Sequence, residues 1–167
     1  MGASMKGIEV FERIDAPAAR VFELMTDMRA WPSVISAIER VEVLTDGPMG
    51  VGTRFRETRR MFGKEATEEM TVTGWEPGRS YTLGCTSCGV EYSSMVRVMP
   101  EGAGSRLSMH TGGRAVSLGA KLMSGPMSWM MSGMMRRCLA QDLADLKKAA
   151  EAQHGSQPDA AMSTEPV

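Results

Sequence analysis

Between residues 38 and 111 the chain repeats one pattern: a short stretch of alternating apolar and polar residues, then a turn signal. ERVEVLTD runs into GPMGVGT, TRFRETRRMF into GK, and EATEEMTVTGW into EPGR. SYTLGCTSC turns at Gly89, VEYSSMVRVM turns at PEGAGS, and RLSMHT closes the series. Successive side chains on a strand point to opposite faces, so each stretch reads as a half-buried strand. Short turns between such strands make them antiparallel neighbours. The result is a sheet with one apolar face, and that face must be covered.

The flanks supply the rest. KGIEVFERI is a further strand, with Ile8, Val10, Glu12 and Ile14 on one face. In DAPAARVFELMTD, Asp15 can cap and Pro17 suits a first helical turn. Val21, Phe22, Leu24 and Met25 then form an apolar stripe. WPSVISAI begins a second short helix at Pro32. After GGR the period becomes helical over 116–123 and 127–152, with Pro126 breaking or restarting the helix. Met131, Met135, Leu139, Leu143, Leu146 and Ala150 make its stripe, and Asp142, Asp145, Lys147 and Lys148 fall largely off it. This last helix is the one element long enough to cover the sheet. Beyond Ala152 the residues are small and polar, so the domain is expected over 6–152 and a disordered tail over 153–167.

Charge and composition exclude several classes. The net charge of −1 offers no bulk attraction for nucleic acid. The basic residues along Arg54–Lys64 alternate with Glu57 and Glu65, as on a solvated strand surface. No window reaches the roughly 18 consecutive apolar residues of a spanning helix, so no integral membrane segment is expected. With no apolar stretch at the start to act as a signal peptide, the expected location is the cytoplasm. Three cysteines, an odd number, do not form a secreted disulfide framework.

"IDAPAARVFELMTD", "GVGTRFR", "VTGWEPGRSYTL" and "LAQDLADLKKAAE", in this order, resemble the START-like (SRPBCC) superfamily, and within it the polyketide cyclase/dehydrase and lipid transport branch. The resemblance implies an α+β helix-grip fold. A curved antiparallel sheet of about seven strands wraps a long C-terminal helix, with two short helices between the first two strands. It also implies an apolar cavity between sheet and helix, and a lipid-like, quinone or polyketide-like ligand. It carries over no catalytic residue and no cofactor.

Ser124–Arg137 holds five of the 17 methionines. Methionine is unbranched and polarisable, so it adapts to varied shapes. In a helix-grip fold this segment crosses the cavity mouth, and Met123, Met127, Met131 and Met134 are expected to line it or gate it. Plain core packing and a transient membrane or protein contact are the alternatives. A copper(I) thioether site would want Cys or His inside the segment, which it lacks.

From the sheet, Phe55, Met70, Leu83, Tyr92, Ser94 and Met109 are expected to complete the ligand-binding set. The same alternation turns Glu12, Glu57, Arg59 and Glu68 inward. A desolvated carboxylate there could hold a ligand oxygen or act as general acid or base, and Glu57 and Glu68 are the catalytic candidates. Cys85 and Cys88 form a CxxC that closes a strand rather than opening a helix, so redox or metal chemistry is not expected. His110 is expected at the surface. Three functions remain: binding of an apolar or amphipathic small molecule without chemistry, a cyclase/dehydratase-type reaction on a polyketide-like substrate, and, behind these, a protein-interaction module using the same groove.

Overall fold

A computed structural model of the chain describes residues 7–87, 89–116 and 126–155, with the side chains of 126–131 excepted. Strand β1 (Gly7–Ile14) is followed by helices α1 (Ala18–Thr26) and α2 (Trp31–Val34). Six strands follow: β2 (Ile38–Val43), β3 (Arg54–Met61), β4 (Lys64–Glu76), β5 (Ser80–Ser87), β6 (Val90–Glu101) and β7 (Gly104–Ala115). Helix α3 (Pro126–Gly155) ends the described chain. The seven strands form one antiparallel sheet in the order β1-β7-β6-β5-β4-β3-β2. Among the described residues no helix is long and apolar enough to cross a membrane.

Local chemistry explains the boundaries. Pro126 is the first residue of α3, where its missing N–H costs nothing. The segment expected as a separate helix over 116–123 lies, from 117 on, outside the described residues. The last helix runs to Gly155, three residues past the boundary read from the sequence. The β3–β4 hairpin turns on Phe62 (φ 53) and Gly63 (φ 75), one residue earlier than the GK signal suggests. Two left-handed residues in succession match the right-handed twist of the strands. Phe62, exposed at the tip, accepts a conformation usually left to glycine or asparagine.

Strand β1 is an edge of the sheet, and α3 lies against it. Arg136 donates from Nη1 to the Glu9 carbonyl at 2.8 Å, and Lys147 donates to the Arg13 carbonyl. The Asp15 amide donates to Glu151 Oε1 at 2.9 Å. Helix side chains thus occupy outward-facing backbone groups that could otherwise recruit another strand. The same contacts fix the direction of α3. Arg136 lies near the start of β1 and Glu151 just past its end, so the methionine-rich first turns extend toward the Gly7 side of the sheet.

Leu139, Leu143, Leu146 and Ala150 carry the apolar stripe of α3 into the core, where they join Val10, Ile14, Val96, Val98 and Leu107. Helix α1 adds Val21, Leu24 and Met25. Trp31 of α2 meets Phe55 of β3 edge-on at 5.5 Å between ring centroids. The Ser36 amide and hydroxyl both donate to Asp145 Oδ2, at 2.8 and 2.6 Å, tying the residues after α2 to α3.

Leu143 is fully buried and Met134 is 40% exposed on the same helix. Leu143→Ala is expected to cost about 2–5 kcal/mol of unfolding free energy. Met134→Ala should change it by no more than about 0.5 kcal/mol. Urea denaturation of both variants checks the pair.

Candidate functional site

The strand registers place every inward-pointing residue. Across β5, β6, β7 and β1, one row reads Tyr81, Val96, Met109, Val10. The next row reads Leu83, Ser94, Thr111, Ile8, and Val72 of β4 extends it. On β3 and β4, Phe55 faces Met70, Glu57 faces Glu68, and Arg59 faces Ala66. The register shift between Val72 and Gly74 leaves Met70, Val72 and Trp75 on this inner face, so the alternation read from the sequence survives it.

Burial divides the inner face in two. Phe55, Val72, Tyr81, Val96, Val98 and Leu107 are buried. Met70, Leu83, Cys85, Ser94, Met109 and Thr111, further toward the Gly7 side, are half-buried. Tyr92, at that end, is 38% exposed. Core packing therefore stops partway across the sheet, and α3 extends its first turns toward the part left unpacked.

A charged cluster sits at the border. Arg59 donates from Nε to Glu57 Oε1 at 2.6 Å and from Nη1 to Asp142 Oδ2 at 3.1 Å. Glu57 and Asp142 are each 3% exposed. The pair spans from β3 to α3, so one guanidinium joins sheet and helix. Burial works against the Arg59 charge, but the two carboxylates outweigh it and raise its pKa, so it is permanently protonated. Burial pushes the Asp142 carboxyl up to about 6 despite the pull of Arg59. Its Oδ1 has no hydrogen-bond partner among the described residues. The Tyr81 phenol is raised by burial first and then by Glu57 and Asp142 nearby, so it stays an O–H donor at neutral pH.

Glu68 lies half-buried beside this cluster, and the Cys85 thiol donates to its Oε2 at 3.8 Å. Burial, followed by the Glu68 charge, pushes the Cys85 thiol up to about 11. It is not a thiolate at neutral pH and makes a poor nucleophile. No group of three or more His, Cys, Asp and Glu residues able to hold a metal ion occurs among the described residues.

The structure thus brings together Phe55, Glu57, Glu68, Met70, Leu83, Tyr92, Ser94 and Met109 on one face. Met134 is exposed, and its neighbour Met135 packs against the core instead. Met123 and the side chains of Met127 and Met131 lie outside the described residues, as does Cys88. The basic run of β3 also divides. Arg54, Arg56 and Arg60 pair with outer-face carboxylates, while Arg59 turns inward.

Asp142 corrects the sequence reading, which put it off the helical stripe. It lies three residues after Leu139 and four before Leu146, inside the stripe rather than beside it. That spacing is the signal that could have found it.

Residues 5–151 match the family model described as polyketide cyclase / dehydrase and lipid transport. No curated protein sequence matches the chain. Among solved structures it is similar to TTHA0849 of Thermus thermophilus, with TM-score 0.73 and 19% identity over 88% of this chain and 98% of that one. It is similar to the Zhui aromatase/cyclase of a Streptomyces species, with TM-score 0.71 and 21% identity over 90% of this chain and 96% of that one. A norcoclaurine synthase point mutant of Thalictrum flavum, in complex with a transition-state analogue, gives TM-score 0.66 and 17% identity over 93% of this chain and 99% of that one. At these identities the likeness is one of fold, and it matches the sheet and helix described above.

The raised Asp142 pKa sets a pH dependence. The folded value of about 6 exceeds the unfolded value of roughly 3.9. Its stabilising contribution is therefore present below about pH 4 and is lost as pH rises through about 6. Asp142→Asn is expected to gain stability relative to the native chain between pH 4 and 7, by on the order of 2–3 kcal/mol. Arg59→Met strands two buried carboxylates and should cost about 3–5 kcal/mol at pH 7. Urea titrations at several pH values read both effects.

Proposed function

The chain belongs to the polyketide cyclase/dehydrase and lipid transport family, and on that premise we propose that it binds one apolar or amphipathic small molecule between the inner face and α3. The observation that carries this reading is the abrupt end of core packing. Apolar side chains at Met70, Leu83 and Met109 face inward yet remain half-buried, while a buried charged cluster stands at their border. Ligand sites are commonly of this form, mostly apolar with a few fixed polar groups.

The polar groups define how a ligand would be held. A guanidinium has five N–H donors, and the contacts with Glu57 and Asp142 use two of Arg59's. Its orientation is fixed by those carboxylates, so the remaining donors are presented without further ordering cost. A ligand carbonyl or hydroxyl oxygen fits them, with the Tyr81 phenol as a second donor. Lipid-like, quinone and polyketide-like molecules all offer such an oxygen on an apolar body.

A specific observation favours a second reading, a cyclase or dehydratase reaction. Asp142, pushed up to about 6, is poised to exchange a proton near neutral pH. Arg59 beside it could polarise a carbonyl. The Streptomyces relative is itself an aromatase/cyclase. In this reading Asp142 and Glu68 are acid/base candidates and Glu57 positions Arg59.

Native mass spectrometry of the purified protein, followed by organic extraction, tests the binding reading directly. A co-purifying apolar compound with at least one oxygen is expected. Leu83→Trp should fill the space and weaken that ligand by about tenfold or more, at a stability cost of about 1–3 kcal/mol from overpacking. Unchanged affinity in Leu83→Trp would contradict the proposed location. Turnover that survives both Asp142→Asn and Glu68→Gln would contradict their assignment as acid/base groups, and an absence of turnover on polyketide-like substrates would contradict the enzymatic reading.

A further inference from the structure

The inner face is unevenly charged, and the imbalance bears on which ligands the proposed cavity accepts. Glu57, Glu68 and Asp142 converge where packing ends, and Arg59 is the guanidinium set among them. The arrangement exceeds what neutralising Arg59 requires. Glu57 and Asp142 already bracket it, and Glu68 meets the Cys85 thiol, which brings no positive charge.

Other inward-parity charges do not restore the balance. Glu12 lies toward the packed end, where the Lys147 ammonium senses its charge. Lys64 is exposed at the hairpin tip. Arg136 lies exposed against the β1 edge, and Lys147 is neutralised by its ion pair with Glu151. Asp145, one helical turn beyond Asp142, adds negative charge. Asp142 also keeps Oδ1 unpartnered although it is 3% exposed. A buried acceptor without a donor is costly, and a donor supplied by a ligand would satisfy it once the surrounding side chains shift to let it in.

Resting on the cavity reading above, we infer that Glu57, Glu68 and Asp142 make the cavity selective by charge, so that it takes neutral or ammonium-bearing apolar ligands and rejects carboxylates. Like charges repel most strongly where little water screens them. A fatty acid or other apolar carboxylate would place its charge beside a net negative wall. A ketone, quinone, phenol or amine would not. The orphaned Asp142 oxygen accepts from a ligand O–H or N–H and gives nothing to a carboxylate, which has no donor. Specificity here works by penalty to the wrong ligand as much as by attraction to the right one.

Three fluorescent probes on one ring system test this: 9-anthracenecarboxylate, its methyl ester, and 9-(aminomethyl)anthracene. Desolvation penalises both ions in any apolar cavity, so the informative quantity is the ratio of ammonium to carboxylate affinity. At pH 7.5 the ammonium and ester probes are expected to bind about tenfold or more tightly than the carboxylate. Glu68→Gln, a half-buried position that should fold, is expected to lower the ammonium-to-carboxylate ratio by about threefold or more. Equal binding of the two ions, or a ratio that Glu68→Gln leaves unchanged, overturns the charge rule while the cavity stands. Failure of all three probes to bind removes the cavity and the rule together.

Discussion

One helix is too narrow to cover seven strands. Six strand spacings of about 4.8 Å amount to about 29 Å along the sheet. A helix with its side chains is about 10–12 Å across. Helix α3 spends its apolar stripe on the β1 and β7 side, where Leu139, Leu143 and Leu146 meet Val10, Ile14 and Leu107. Helix α1 packs near β6 and β7, and α2 packs near β2 and against Phe55. Inner-face residues toward the Gly7 side, Met109 and Thr111 of β7 among them, stay half-buried. The functional proposals follow from this end of packing along the strands.

The Arg59 bridge belongs to the same geometry. A charged pair in a packed core usually offers little over apolar residues of the same size. Here it stands at the boundary between packed and unpacked halves, reaching from β3 to α3. The cost of desolvating Asp142 is visible in its raised pKa. Sites that retain such cost are often those with a ligand to bind or a proton to move.

Much of this was legible in the sequence, because strand alternation is a strict period of two. Inward placement of Glu57, Arg59 and Glu68 follows from Phe55 and Val72 alone, and the register confirms it. The order of elements was legible for the same reason. Asp142 was not, because a carboxylate inside an apolar helical stripe reads as a flaw in the stripe until its partner on another element is known. That partner, Arg59, is 83 residues away. The hairpin at Phe62–Gly63 was misplaced by one residue because a phenylalanine in the left-handed region runs against local preference. Met134, expected at the cavity, is 40% exposed; the five methionines fall three or four residues apart on one helix face, and spacing alone does not say which of them a ligand would touch.

The methionines allow the central claim to be tested in one experiment. Met70 and Met109 point inward, whereas Met95 and Met99 lie exposed on the outer face, at 40% and 46%. With methyl-13C methionine in the protein, a neutral quinone such as menadione is titrated and the methyl resonances are followed by NMR. Saturable shifts at Met70 and Met109, with Met95 and Met99 unmoved, are what a half-filled inner face predicts. Shifts confined to the outer methionines, or none at any concentration the quinone can reach, would contradict it.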